Sequence, residues 1–227
     1  MIVSITGLIG SGKDTIADHL ITNHGFKQLS FGFALKDTMA AMFQWDREML
    51  EGKTPEARKQ RDIVDEWWSE KLGIPNFTPR YALTRVGTEV LRHKFNNNIW
   101  VYNVEKALMK LADSDNIVIS DTRFTPELVM LKKLNALTLN VTRGKLPDWW
   151  DSALTYNKLN SNWEKEIYKF FLKYSKTPNF VNKDIHLSER DWIGHSFKHT
   201  LYNDSSIDAL KKNVDMFVLP YMAIKKS

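Results

Sequence analysis

The sequence predicts an α/β fold: a parallel sheet flanked by helices. Two observations carry this. An apolar run at Ile2–Thr6 passes through a glycine-rich turn straight into a segment with helical apolar spacing. The same strand-then-helix order returns at Asn116–Asp121 and again at Leu137–Thr142. Short apolar runs bounded by polar residues read as strands buried on both faces, and strands alternating with helices build parallel sheets.

The elements follow in order. After Ile2–Thr6, the residues Ile16, Ala17, Leu20 and Ile21 give a first helix, which Asn23-His24-Gly25 ends. Phe26–Ser30 reads as a second strand. Leu35, Met39, Met42 and Phe43 mark a second amphipathic helix. From 46 to 80 the chain is charged and weakly periodic, which predicts one or two helices around Val64–Leu72 and a turn-rich break at Pro75–Pro79. Asp62, Asp65 and Glu66 read there as a solvated acidic face. Leu83, Val86, Val90 and Leu91 predict a helix, and Val101, Val104, Leu108 and Leu111 a clearer one. Asn116–Asp121 is a buried strand. Thr125 as N-cap with Pro126 at the first helical position opens the helix of Leu128, Leu131 and Leu134. Leu137–Thr142 is the next strand. Residues 144–196 interrupt the rhythm and hold an amphipathic helix through Ile167, Phe170, Phe171 and Tyr174. Lys198–Tyr202 is a last strand, and Asp204-Ser205-Ser206 opens a last helix through Ile207, Leu210, Val214 and Phe217.

The strongest chemical signal is Gly7-Leu-Ile-Gly10-Ser11-Gly12-Lys13-Asp14-Thr15, between the first strand and first helix. Glycines let the backbone wrap an anion closely, and the helix that follows presents its positive end to it. Lys13 adds a point charge that bridges β- and γ-phosphates. The spacing Gly7-x4-Gly12-Lys13 is that of a P-loop, except that Asp14 stands where a Ser or Thr is standard and Thr15 comes one place later.

The Gly-Lys-x-Thr ending resembles that of nucleoside monophosphate kinases, and Gly-Lys-Asp-Thr resembles more narrowly the deoxynucleoside monophosphate kinases of bacteriophages. Other stretches are similar to that family in the same order: Phe33-Ala34-Leu35-Lys36-Asp37, Gly87-Thr88-Glu89 with Asn97-Asn98-x-Trp100-Val101, Asp121-Thr122-Arg123, His186-x-Ser188-Glu189 and Asn203-Asp204-x-Ser206. Segments 46–80 and 144–184 match nothing in the family. The resemblance implies one P-loop kinase domain with its core at about 1–45, 98–143 and 196–227. It further implies an acceptor-binding insertion at about 46–97 and a lid at about 144–195.

It also implies roles. Gly7, Gly10, Ser11, Gly12, Lys13, Asp14 and Thr15 would hold the phosphates of ATP. Thr15 and Asp121 are the candidates around Mg²⁺, Asp121 acting through water, since magnesium keeps much of its hydration. Guanidinium groups bind oxyanions in a bidentate way, which makes Arg123 and Arg143 candidates for the transferred phosphoryl. Arg85, Arg123 and Arg190 are candidates for the acceptor. Lys36, Trp100, His186 and Glu189 complete the candidate substrate contacts. A monophosphate acceptor is already a nucleophile, so alignment and exclusion of water are the task.

Composition narrows the partners. The absence of cysteine excludes disulfides, thiolate metal sites and a thiol nucleophile. A net charge of +5 suits an anionic small substrate; with no dense Lys/Arg block, nucleic acid is a poorer match. The N-terminal apolar run is too short for a signal peptide, and no run approaches the roughly 18 residues that span a bilayer. The expectation is a cytoplasmic enzyme, with room for a homodimer. Two alternatives stay open: a P-loop kinase for another small metabolite, and a P-loop nucleic-acid-binding or switch protein.

Overall fold

The computed structural model describes residues 1–224. Residues 225–227, assigned above to the end of the core, lie outside the described residues. In chain order come β1 (Ile2–Thr6), α1 (Lys13–His24), β2 (Lys27–Leu29), α2 (Phe33–Phe43), α3 (Arg47–Glu51), α4 (Pro55–Gln60), α5 (Glu66–Leu72) and α6 (Pro79–Thr84). A π-helix follows at Arg85–Phe95, then α7 (Ile99–Leu108), β3 (Ile117–Ile119), α8 (Thr125–Lys133) and β4 (Leu137–Thr142). The described chain ends with α9 (Trp150–Lys158), α10 (Asn162–Tyr174), α11 (Leu187–Arg190), β5 (His199–Tyr202) and α12 (Ile207–Ile224). Contacts divide the described residues into two compact units, one formed by residues 1–29 and 111–224, the other by residues 30–110.

The first unit is built on a five-stranded parallel sheet in the order β2-β3-β1-β4-β5. β1 sits at the centre, with Val3 opposite Val118 on one side and Leu137 on the other. That position explains its unbroken apolar run: Val3, Ser4, Ile5 and Thr6 are all buried. Val3, Ile5, Leu139 and Val141 pack in one core with Ile16 and Leu20 of α1 and Leu210, Val214 and Val218 of α12. Burying each such side chain stabilises the fold by about 1.5–3 kcal/mol, so this core sets the loop between β1 and α1 on a rigid base. α1 ends where Gly25 takes a left-handed conformation (φ 67°) and returns its N–H to the Leu20 carbonyl.

Two local expectations are corrected in this unit. Helix α8 is capped one residue early, at Phe124, because the Glu127 carboxylate accepts the N–H groups of Arg123 (2.8 Å) and Phe124 (3.0 Å). The Thr125 hydroxyl bonds His195 Nε2 instead, at 3.0 Å. In α10, Leu172 is the buried residue, packed in a cluster with Trp149, Phe180, Trp192 and Ile193. The predicted apolar face of Phe170, Phe171 and Tyr174 is therefore turned outward and exposed.

The second unit has its own core of Met39, Phe43, Leu50, Phe77 and Ala82, with Trp45 and Trp68 packed against it. Where one or two helices were expected between 46 and 80, three short ones form. Each is capped by a side chain that accepts an N–H: Asp46 from Met49 (2.6 Å), Thr54 from Ala57 (3.1 Å) and Asp65 from Trp68 (3.0 Å). Asp65 also accepts the Trp45 indole N–H at 2.7 Å, a structural role, while Asp62, paired with Arg80, and Glu66 are exposed as expected. The helix expected over 83–91 widens to a π-helix at Arg85. Gly87 lies in it, its carbonyl accepting the Trp100 indole N–H at 3.0 Å. A foreign donor on a helical carbonyl, at a residue without a side chain, favours such widening.

Candidate functional site

The loop between β1 and α1 adopts backbone conformations that its glycines permit. Gly12 has φ 105°, and a Cβ there would lie 2.6 Å from Asn203 Nδ2 and 3.1 Å from a Leu210 methyl. A Cβ on Gly7 would collide with the Val141 carbonyl and lie 2.8 Å from Ser11 Oγ. The loop is thus pressed against the carboxyl ends of β4 and β5 and the start of α12. Asn203 holds it there: its amide donates to the Ser11 carbonyl at 2.9 Å, while its own N–H bonds the Thr142 carbonyl at 2.8 Å.

Helix α1 begins at Gly12 with no side-chain cap. The helix dipole at that end favours an anion. Ser11 Oγ is buried without a hydrogen-bond partner. Lys13 is 8% exposed, and its ammonium donates to the Leu8 carbonyl at 2.7 Å. Burial lowers its pKa to about 8; Arg123 pushes the same way, while Asp14, Glu189 and Asp121 pull it back up. Lys13 is thus surrounded by the charged groups that the sequence singled out.

Asp121 and Arg123 leave the end of β3, and the residue between them fixes both. Thr122 is buried, with its hydroxyl 2.9 Å from Ser4 Oγ in the central strand. Arg123 pairs through Nη1 with Glu189 of α11. Arg143, just past β4, is exposed and reaches the Gly10 carbonyl at 3.5 Å. Gly144 N–H bonds Asp204 at 2.6 Å, fixing the start of that segment. A cavity of about 670 Å³ opens beside the loop, its walls including Ile9, Gly10, Arg143, Trp149, Trp150 and Glu189.

Other candidates stand elsewhere. His186 caps α11, its Nδ1 accepting the Ser188 N–H at 3.2 Å. Arg190 packs its guanidinium 4.3 Å above the Phe180 ring and donates to the Ile185 carbonyl at 3.2 Å; it is not among the residues lining the cavity. In the second unit, Lys36 pairs with Glu51 at 2.8 Å and Arg85 pairs with Glu89. Trp100 is buried at 6% exposure with its indole bonded to Gly87, a packing role that gives its ring no free face for a base. Sequence reading did not assign Asn203 or Thr122 to the site. The signal for both was their position, at the carboxyl ends of strands, where open α/β sheets hold ligands.

The oxygen donors present, the Thr15 hydroxyl with Asp121 and Asp14, are the hard ligands that magnesium prefers. Thr15 is half-buried in the first turn of α1, and both carboxylates act on Lys13. The residues present therefore fit a magnesium ion carried in with nucleotide phosphates.

No protein-family model matches the chain. An alignment of 153 residues relates it at 30% identity to a protein of Acanthamoeba polyphaga mimivirus named "Putative deoxynucleotide monophosphate kinase", covering 63% of this chain and 74% of that protein. Among solved structures, a shikimate kinase from Aquifex aeolicus aligns at 12% identity and a TM-score of 0.41 over 99% of both chains. TT1252 from Thermus thermophilus aligns at 17% identity and 0.42 over 97% of both. This chain belongs to the deoxynucleotide monophosphate kinase family.

Proposed function

We propose that the protein transfers the γ-phosphoryl group of ATP to a nucleoside monophosphate, a deoxynucleotide first among them, giving a nucleoside diphosphate and ADP. The supporting observation is the uncapped start of α1 with the buried Lys13 beside it, inside a ring of Arg123, Asp121, Asp14 and Glu189. An acceptor phosphate oxygen attacks the γ-phosphorus, the bond to the β-bridging oxygen breaks, and ADP leaves with that electron pair. Transfer of this kind needs positioning and neutralisation of charge rather than covalent help.

The loop amides and Lys13 take the donor phosphates. Lys13 gives up its bond to the Leu8 carbonyl to do so. Arg123 turns from Glu189 to the migrating phosphoryl, and Arg143 follows the same charge from the rim of the cavity. Thr15 and Asp121 are the residues that would hold magnesium, which would supply neutralisation of the phosphate charge. Lys36 and Arg85 are assigned to the acceptor, each able to exchange its present carboxylate for a phosphate. The mimivirus relative supports an enzyme of nucleotide metabolism; the bacteriophage type and the host cytoplasm rest on the Gly-Lys-Asp-Thr resemblance. The scattered positive charge supports a small substrate over nucleic acid.

A coupled ADP-release assay with Mg-ATP over the ribo- and deoxyribonucleoside monophosphates tests this. Turnover with at least one deoxynucleotide, well above ATP hydrolysis without acceptor, is the expected result. Hydrolysis alone, unchanged by any acceptor, overturns it.

A further inference from the structure

Away from the loop, at the far end of α1, two histidines and one aspartate converge. His19 Nε2 and His24 Nε2, both from α1, each lie 2.8 Å from the same oxygen, Asp215 Oδ1 of α12. The two imidazole rings meet edge to face, with centroids 5.2 Å apart. Their ligating atoms all fall within 4.8 Å of one another. From these contacts we infer a divalent-cation site of the zinc class, with His19, His24 and Asp215 as its protein ligands, stapling the helix that Lys13 opens to the last helix.

The donor set and the spacing argue for it. Two imidazole nitrogens and one carboxylate oxygen form a borderline-soft set that suits Zn²⁺ and, in the laboratory, Co²⁺ or Ni²⁺. Calcium and magnesium want oxygen-only shells and are disfavoured. Zinc bonds of about 2.0–2.1 Å put neighbouring ligand atoms about 3.3 Å apart in a tetrahedron. The two 2.8 Å separations to Asp215 need a small outward movement, and the imidazole nitrogens, within 4.8 Å of one another, settle to the same spacing. Three protein ligands leave a fourth position for water. The site has an entry path, because Asp215 is 28% exposed and His24 18%, while His19 forms the buried wall at 8%.

One feature sets the strength. His19 Nδ1 is buried and lacks a hydrogen-bond partner. When Nε2 binds a metal, Nδ1 carries the ring proton, and ligating histidines normally pass that proton to an acceptor. Missing such support weakens metal sites by about 10–100-fold. The expected affinity is therefore micromolar rather than nanomolar.

The test uses the untagged full-length chain, stripped of metal by chelator dialysis and free of nucleotide. Zn²⁺ is titrated in competition with a chromophoric chelator, and Co²⁺ is followed by its visible absorption. One equivalent should bind at micromolar concentration, the cobalt spectrum should show nitrogen–oxygen ligation, and zinc should raise the melting temperature. Asp215→Asn, which keeps an oxygen acceptor between the helices, and His24→Gln should each weaken Zn²⁺ binding at least about 10-fold while the metal-free fold is retained. If His24→Gln does not fold, Asp215→Asn decides alone. Absence of saturable binding by the wild-type chain overturns the site, as does unchanged zinc affinity in the folded variants; either result would make the cluster a hydrogen-bonded clamp.

Discussion

A buried ammonium is a costly thing to hold, and Lys13 shows what the site gives up for its chemistry. With its pKa brought from 10.5 to about 8 by burial, the folded protein binds fewer protons than the unfolded chain between those two values. Stability attributable to Lys13 therefore rises with pH across that window, and below pH 8 the full cost is present. Lys13→Met should abolish turnover by about 10²–10³-fold or more. It should also stabilise the ligand-free protein by about 1–3 kcal/mol at pH 7, an advantage that shrinks between pH 8 and 10.5. Chemical denaturation at pH 7 and pH 10 checks this; a variant less stable than wild type at pH 7 would contradict the buried-charge reading. The same titration bears on binding. Phosphates favour the charged lysine, so affinity for ATP should weaken as pH rises past about 8, as isothermal titration would show. Arg123 is the second residue to test. Arg123→Ala should raise the acceptor KM about 10-fold or more with the ATP KM within about twofold; equal effects on both substrates would remove Arg123 from the acceptor side.

At the level of elements, α11 acts on the site through one carboxylate. Glu189 occupies the guanidinium that a phosphate would use, and it stands on a four-residue helix whose cap is His186. Glu189→Gln should leave Arg123 freer, lowering the acceptor KM by a few-fold while raising wasteful ATP hydrolysis. Stopped-flow and steady-state kinetics in the presence and absence of acceptor separate the two effects. If the acceptor KM rises instead, Glu189 touches the substrate itself. Elements were also where sequence reading succeeded and failed for definite reasons. β1, β3 and β4 were legible because burial on both faces writes an unbroken apolar run, and the loop was legible because few backbones other than glycine's can wrap a phosphate. The short helices α3 to α5 were missed because their signal is not periodicity. It lies in Asp46, Thr54 with Pro55, and Asp65, whose capping bonds a helix-period search does not see. The face of α10 was misassigned because periodicity reports that a stripe exists, while packing on Trp149 and Phe180 chose Leu172 as the buried residue.

At the scale of the whole molecule, the chain leaves its sheet after β2 and returns before β3, and residues 30–110 make a unit with a separate core. The residues proposed for the donor, Gly7 to Thr15 with Asp121, Arg143 and Asn203, lie wholly in the first unit, as does Arg123. Lys36 and Arg85, assigned to the acceptor, lie in the second. Ligands should therefore leave different footprints. A non-hydrolysable ATP analogue binding at the loop stabilises what it touches by RT ln(1 + [L]/Kd), about 2.7 kcal/mol at a hundred times Kd. Hydrogen exchange should slow by about two orders of magnitude in residues that open only with that unit. The expected pattern with the analogue alone is protection at 7–20, 117–123 and 200–210, with little change at 30–110. Deoxynucleoside monophosphate should add protection around 33–37 and 85–92, where Lys36 and Arg85 would exchange carboxylate partners for phosphate. Protection of 30–110 by the ATP analogue without acceptor would assign donor contacts to the second unit. Protection confined to 7–20 with both ligands would strip Lys36 and Arg85 of their acceptor role while leaving the loop chemistry intact. Because Lys13→Met should erase the first footprint yet leave the chain folded, the same measurement tells loss of the loop's grip from loss of structure.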